Sequence, residues 1–127
     1  MSSAVYDSSF FVEFFYSKQE TLLTKIKQER KRKKKYVSTI ALHEIYKLSL
    51  TREGPETAKQ RAELLKKDFR IVPVDAQTAQ ISAELRHKYN LAMGNSMTAA
   101  TASILNATCI SDDPHFQKIK EIKTTWI

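Results

Sequence analysis

The sequence predicts an α/β domain with a mainly parallel sheet of four to five strands, and three observations carry that expectation. Short apolar, β-prone runs alternate with longer segments of helical period, the pattern in which helices cross over between parallel strands. Only two glycines and three prolines occur, too few for the tight turns of a β-sandwich, and 42% apolar residues exclude a disordered chain. At 127 residues the chain is expected to form one domain, residues 1–127. A chain of this size buries roughly two thirds of the surface its unfolded form exposes.

The elements follow in order. Ala4-Val5-Tyr6 reads as a first strand that stops at Asp7. Asp7 or Ser8 caps a helix through about Tyr16, and Ser17 breaks the chain before a second helix carrying Leu22, Leu23 and Ile26. That helix runs into the basic stretch Arg30-Lys31-Arg32-Lys33-Lys34-Lys35. Tyr36 to Ile40 forms a second strand, after which Ala41, Ile45 and Leu48 recur at helical spacing and place Glu44 in the first turns of a helix. Gly54-Pro55 ends this helix and starts another, with Ala58, Ala62, Leu65 and Phe69 on one apolar face.

Ile71 to Val74 is a third strand whose Pro73 points to an edge or a strand end. Asp75 caps a helix with Thr78, Ile81, Leu85 and Tyr89 on one side, and Asn90 ends it. Asn95 or Ser96 caps a further helix with Met97, Ala100, Thr101 and Ile104 at helical spacing; its alanines permit close packing, so it should be the most buried. Thr108-Cys109-Ile110 is a fourth strand ending at the turn Ser111-Asp112-Asp113-Pro114, and Lys123 to Ile127 supplies a last strand.

Charge and cysteine usage narrow the function. Lys and Arg number 21 against 14 Asp and Glu, a net +7 that favours contact with polyanions such as nucleic acid. The single Cys109 rules out an intramolecular disulfide, cannot alone supply a zinc site, and reads as a small core residue in a cytoplasmic protein. The opening Met1 to Tyr16 lacks a basic start and is interrupted by Asp7 and Glu13, so neither a leader nor a membrane span is expected. His43, His87 and His115 have no metal-ligand spacing and read as structural or surface residues; His115 follows Asp113 but is given no catalytic role.

In an open parallel sheet, ligands bind beyond the carboxyl ends of the strands. Asp7 ends the first strand, Asp112 and Asp113 follow the fourth, Glu44 enters the helix after the second, and Asn95 opens the alanine-rich helix. Carboxylates converging there would repel one another, and hard oxygen ligands with open water positions are what Mg²⁺ or Mn²⁺ requires. Such an ion can acidify water for in-line attack on a phosphodiester. Taken singly, Asp7 reads equally as a helix cap, and Asp112 or Asp113 as turn residues. Glu44 is the most informative, because it interrupts an otherwise buried apolar pattern where an unpaired carboxylate is costly.

The same residues resemble a known family. Val5-Tyr6-Asp7-Ser8-Ser9 resembles the first strand and first acid of PIN domains, Ala41-Leu42-His43-Glu44 their second acidic segment, and Ser111-Asp112-Asp113-Pro114-His115-Phe116 their late acidic turn. Val72-Pro73-Val74-Asp75, and Asn95-Ser96-Met97-Thr98-Ala99-Ala100-Thr101-Ala102, fall between them in the family's order.

The resemblance implies a three-layer αβα sandwich and a Mg²⁺- or Mn²⁺-dependent endoribonuclease. It also implies a VapC-like toxin paired with a VapB-like antitoxin, and a homodimer. Carried over, Asp7, Glu44 and Asp113 match acidic ligand positions, Asp112 is a neighbouring candidate, and Ser8 and Ser111 match polar positions that help hold the site.

Asn95 departs from the pattern, since the family usually has an aspartate there; the amide keeps the shape but removes one negative charge. A naturally weakened site and an Asp-to-Asn change introduced to make a toxic nuclease producible are the two explanations, and the second is preferred. Either way the activity is expected to be weakened.

Other features have competing readings. Arg32, Lys33 and Lys34 within the basic run would grip RNA phosphates near the active edge, or form a solvated helix end. Phe10, Phe11, Phe14, Phe15 and Tyr16 surround more of the first helix than one buried face needs, which points to a partner contact or to a helix packed on two sides. A non-catalytic RNA-binding or interaction module with the same fold is the rival function. A phosphoacceptor domain using Asp7 as nucleophile is a weaker one, having no Gly-rich phosphate loop.

Overall fold

The computed structural model describes residues 3–127; Met1 and Ser2, part of the opening segment read for a leader, lie outside them. The chain runs β1 (Ala4–Tyr6), α1 (Ser8–Tyr16), α2 (Glu20–Arg30), β2 (Lys35–Ser38), α3 (Thr39–Glu53), α4 (Pro55–Asp68), β3 (Arg70–Val72), α5 (Ala76–Tyr89), α6 (Met93–Leu105), β4 (Thr108–Ile110) and β5 (Thr124–Thr125). A short 3₁₀ helix, Pro114–Lys118, precedes β5. The five strands stand in the order β3-β2-β1-β4-β5, and every pairing is parallel. This is the three-layer α/β architecture expected.

Strand alternation divides the core in two. On β1, Ala4 and Tyr6 face one layer while Val5 faces the other, and on β4 Ile110 and Cys109 divide likewise. The first layer takes Phe10 and Phe11 of α1, Ile26 of α2, Ala41 and Ile45 of α3, and Leu65 of α4. The second takes Leu85 of α5, Ala99, Ala100 and Ala102 of α6, and Phe116 with Ile119. All described strand faces near the centre are therefore covered, which is why the strands read as apolar runs rather than alternating ones.

Several boundaries differ from the sequence reading for local reasons. The second strand stops at Ser38 because its hydroxyl accepts from the Ile40 N–H, so Thr39 and Ile40 belong to α3. Pro73 ends β3, an edge strand, as its missing N–H requires. The last strand is shorter than expected, only Thr124–Thr125.

The start of α6 is also corrected. Its N-cap is Ala92, so Asn95 and Ser96 lie in the first turn instead of capping it, and the Ser96 hydroxyl donates to the Met93 carbonyl. The buried stripe runs through Ser96, Thr98, Ala99, Ala100, Thr101 and Ala102, leaving Ile104 38% exposed. A helix wedged against both the sheet and α5 buries a wider arc of small side chains than the single stripe the spacing suggested.

The aromatic surplus of α1 is spent inside the fold. Tyr6, Phe10, Phe11, Phe14 and Phe69 form a continuous set of tilted and edge-on ring contacts. The outer rings are covered by cations: Arg61 stacks over Phe15 and Tyr16, and the Tyr16 hydroxyl donates to Glu53. Among the described residues the exposed large apolar side chains are Leu50, Met93 and Ile104, none of them on α1. Phe14, Phe15 and Tyr16 are half-buried, which favours the reading of α1 as a helix packed on two sides.

Gly54 links α3 to α4 with φ 93° and ψ 179°, a conformation open essentially to glycine alone. A methyl group there would meet nothing, so the cost of Gly54→Ala is purely conformational. We expect it to lower stability by about 1–3 kcal/mol, read as a fall in the urea midpoint at constant m.

Candidate active site

The chain visits β1, β2 and β3 on one side, then crosses to β4 and β5 on the other, so strand order reverses between β1 and β4. A crevice forms beyond the carboxyl ends at such a point. Asp7 leaves β1 there, and Ser111 to Asp113 leave β4 beside it, tied by the Asp7 N–H donating to the Ile110 carbonyl at 3.0 Å.

Asp7 is 4% exposed and stands at the N-cap position of α1 without closing a side-chain cap bond. Its carboxylate turns instead to Ser111, whose hydroxyl donates to Oδ2 at 2.8 Å. Burial raises the Asp7 pKa; hydrogen bonds from Ser111 and Ser9, with the nearby N–H groups of Ser8 and Ser9, oppose the shift. Ser111 is the hub of the site. It is buried, contacts Ser9 Oγ at 3.3 Å, and accepts the Asp113 N–H at 3.0 Å.

Glu44 reaches the same edge from the second turn of α3. Its pKa is raised first by burial and further by the charge of Asp7, while a hydrogen bond from Ser8 and the neighbouring His43 oppose this. Asp7 and Glu44 thus sense each other directly. Gly94, in the first turn of α6, lies against this carboxylate: a Cβ there would fall 2.5 Å from Glu44 Oε2. Glycine leaves room here for the Glu44 carboxylate, which a larger residue would have to displace.

Asp113 sits across from Asn95, whose Nδ2 donates to Oδ2 at 3.2 Å. Its other oxygen accepts the His115 N–H at 2.9 Å and lies 2.7 Å from His115 Nδ1. Partial burial works to raise the Asp113 pKa, but the bonds from His115 and Asn95 outweigh it, so the carboxyl titrates below its ordinary value. Asp112 is exposed and makes no side-chain bond among the described residues. Of the two turn acids, Asp113 is the one brought into the network.

The structure therefore gathers Asp7, Ser8, Glu44, Asn95, Ser111 and Asp113 along one edge and leaves Asp112 at its rim. It does not bring Arg32, Lys33 and Lys34 there. The register pairs Ala4 with Lys35, which puts the loop before β2 at the amino edge, about 10 Å of strand away from Asp7. Arg32 is occupied by Glu29 at 2.7 Å. The parallel pairing itself thus sets this run apart from the acids.

Three residues of the site were given no role in the sequence reading. Ser9 follows Asp7 by two positions and needed only recognition that the first helical turn folds back on the acid. Gly94 is one of two glycines in the chain and immediately precedes Asn95. His115 was noticed and set aside, yet it holds Asp113.

The donor set suits a hard cation in kind, since Asp7 and Glu44 are oxygen ligands whose mutual repulsion a cation would relieve, and Mg²⁺ commonly binds through one or two carboxylates with water in its remaining positions. No group of three or more His, Cys, Asp or Glu able to hold a metal ion is gathered among the described residues. Asn95 and His115 keep Asp113 engaged.

The PIN domain model matches residues 4–122. The chain belongs to the PIN domain family. No curated protein matches the chain. Solved structures with this PIN fold include VapBC from Salmonella typhimurium bound to DNA, with TM-score 0.82 and 16% identity over 99% of this chain and 98% of that one. VapBC2 from Rickettsia felis bound to a promoter DNA fragment gives TM-score 0.81 and 15% identity, covering 98% of each chain. VapC20 from Mycobacterium tuberculosis, a Sarcin-Ricin loop cleaving toxin, gives TM-score 0.75 and 17% identity over 95% of this chain and 99% of that one. At such identities the likeness is one of fold. Among the described residues of this PIN domain, no helix is long and apolar enough to cross a membrane.

Burial of Asp7 has a thermodynamic sign. Its native pKa is raised, so from about pH 4 up to that native value the folded form holds more protons than the unfolded one, and stability falls as pH rises. Glu44 acts in the same direction. In EDTA, Asp7→Asn should make the protein more stable at pH 7 and flatten this part of the profile, measured by urea unfolding. An unchanged slope would assign the pH dependence to other groups.

Proposed function

We propose that this chain, as one domain spanning residues 1–127, is a VapC-like endoribonuclease toxin weakened at Asn95. The observation that carries this reading is the convergence of Asp7, Glu44 and the Asn95–Asp113 pair at the switch point of a PIN fold. The structural neighbours supply the biological class: several are toxin–antitoxin complexes, and one is named as a cleaver of the Sarcin-Ricin loop. A VapB-like antitoxin is the corresponding protein partner, RNA the substrate, a homodimer the assembly, and the cytoplasm the place of action.

Asp7 and Glu44, with Asp113, Asn95 and the neighbouring Asp112, would hold Mg²⁺ or Mn²⁺. When bound, such a cation neutralises the clustered carboxylates and makes water acidic enough to attack a phosphodiester. The chain's own contributions are positional. The Ser111 hydroxyl donates to the Asp7 carboxylate and accepts the Asp113 N–H, so a single hydroxyl orients acids that follow two different strands. Ser8 steadies Glu44, and Gly94 gives it room. Asn95 donates to Asp113, a bond that an ionised aspartate would replace with repulsion. The amide thus stabilises a cation-free arrangement and lowers the negative charge available to a cation.

The deciding experiment is cleavage of a mixed structured RNA by this chain and by Asn95→Asp, with Mg²⁺, Mn²⁺ or EDTA, using Asp7→Ala as the blank. Asn95→Asp should raise metal-dependent cutting by at least about tenfold, equivalent to about 1.4 kcal/mol at the transition state, and the blank should show none. Equal rates for the two folded, metal-supplied forms would remove Asn95 from the site. RNA binding without cutting by either form would favour the non-catalytic module.

A second substitution tests positioning. Gly94→Ala in the Asn95→Asp form should displace Glu44 and lower the cleavage rate by up to on the order of 10²-fold while the urea midpoint changes far less. A rate that survives the methyl group would show that Glu44 tolerates displacement.

A further inference from the structure

At the amino edge of the sheet, opposite the acids, a concave cleft of about 680 Å³ opens between the loop leading into β2 and the junction of α4 with β3. Six cations line it: Lys33, Lys34 and Lys35 on one wall, Lys66, Lys67 and Arg70 on the other. Asp68 is the one acid in the lining, and Arg30 neutralises it through bonds of 2.9 and 2.7 Å. Two of the lysines have other work. Lys35 lies over the Phe69 ring at 4.9 Å and donates to the Arg30 carbonyl, and Lys66 pairs with Glu63 at 2.5 Å.

Lys33, Lys34, Lys67 and Arg70 remain, all exposed, their side chains without an ion pair or hydrogen bond among the described residues. The simplest alternative is that these cations offset the carboxyl ends of α2 and α4. Each such end carries about half a negative charge, so the two together account for about one cation of four. The remaining charge is concentrated in a concavity with protein walls, where field lines focus and an anion is attracted most.

We propose that this cleft is a second RNA contact, binding the sugar-phosphate backbone at a distance from the cleavage site. Its cations come from two segments separated by more than thirty residues and face each other across a groove, an arrangement suited to a chain of phosphates rather than to one. A structured RNA gripped here can extend past the sheet to the acidic edge, so the enzyme selects substrates large enough to span both. That the polymer is RNA rests on the ribonuclease reading; attraction to a polyphosphate backbone does not.

The test separates the two. Binding of a labelled RNA stem-loop is followed by fluorescence anisotropy in EDTA across 50–200 mM KCl, using full-length Asp7→Ala so that no cutting intervenes. A variant carrying Lys33→Gln, Lys34→Gln, Lys67→Gln and Arg70→Gln is compared with one of equal net charge carrying Lys18→Gln, Lys25→Gln, Lys59→Gln and Lys118→Gln. The cleft variant should bind at least tenfold more weakly, and its slope of log K against log salt should shrink by about 3, whereas the control should change little.

Equal losses in both variants, or an unchanged slope in a cleft variant with a parental unfolding curve, would overturn the proposal. So would polyglutamate occupying the cleft as tightly as RNA does, which would mark an acidic protein segment as its ligand. Loss of binding in the cleft variant alone upholds the cleft even if Asn95→Asp never cuts RNA, in which case only the nuclease reading falls.

Discussion

The structure depends on burying one carboxylate, Asp7, at the carboxyl end of its central strand. β1 lies between β2 and β4, so whatever follows Tyr6 emerges where strand order reverses and water is largely excluded. A charge in that position is costly, and the surrounding chain is arranged to offset it: Ser111 donates from the neighbouring strand, and Ser8 and Ser9 from the start of α1. The same burial raises the affinity of Asp7 for a proton and, by the same electrostatics, for a cation.

The second acid compounds the first. Glu44 is carried in by α3 and pressed against Gly94 of α6, so that both layers of the sandwich contribute to one edge. Asn95 then sets how the third acid is held. With an amide at this position Asp113 gains a donor beside His115, whose bonds do most to lower its pKa, and the third carboxylate settles against His115 and Asn95. The engaged third acid thus follows from a donor amide standing where a second carboxylate would repel it.

The parallel sheet also sorts the charge of the molecule. Acids collect where strands end and cations where strands begin, because the helix preceding β2 and the helix preceding β3 both finish in basic residues at the amino edge. An excess of seven positive charges is thereby given direction. The acids and the basic cleft are set at opposite edges of the sheet, and the basic edge presents an attractive surface to a polyanion.

The sequence by itself determined the fold class and the order of elements, because each is encoded locally. Apolar runs bounded by Asp7, Pro73 and Asn90 mark the ends of elements, and acids placed after β-prone runs reach the carboxyl edge of any parallel sheet. Where α6 begins was less legible, since Asn95 and Ser96 are both good caps and only packing shows that Ala92 fills that place.

Tertiary structure alone decided which residues meet. Nothing in the order of residues shows that Ser9 would reach Ser111, that Gly94 would lie against Glu44, or that Asp113 would be chosen over Asp112. Nor does it place the basic run on the edge away from the acids, a consequence of Ala4 pairing with Lys35. Those contacts join segments up to about a hundred positions apart, and their geometry is fixed by strand register and helix packing, which act only once the chain has closed on itself.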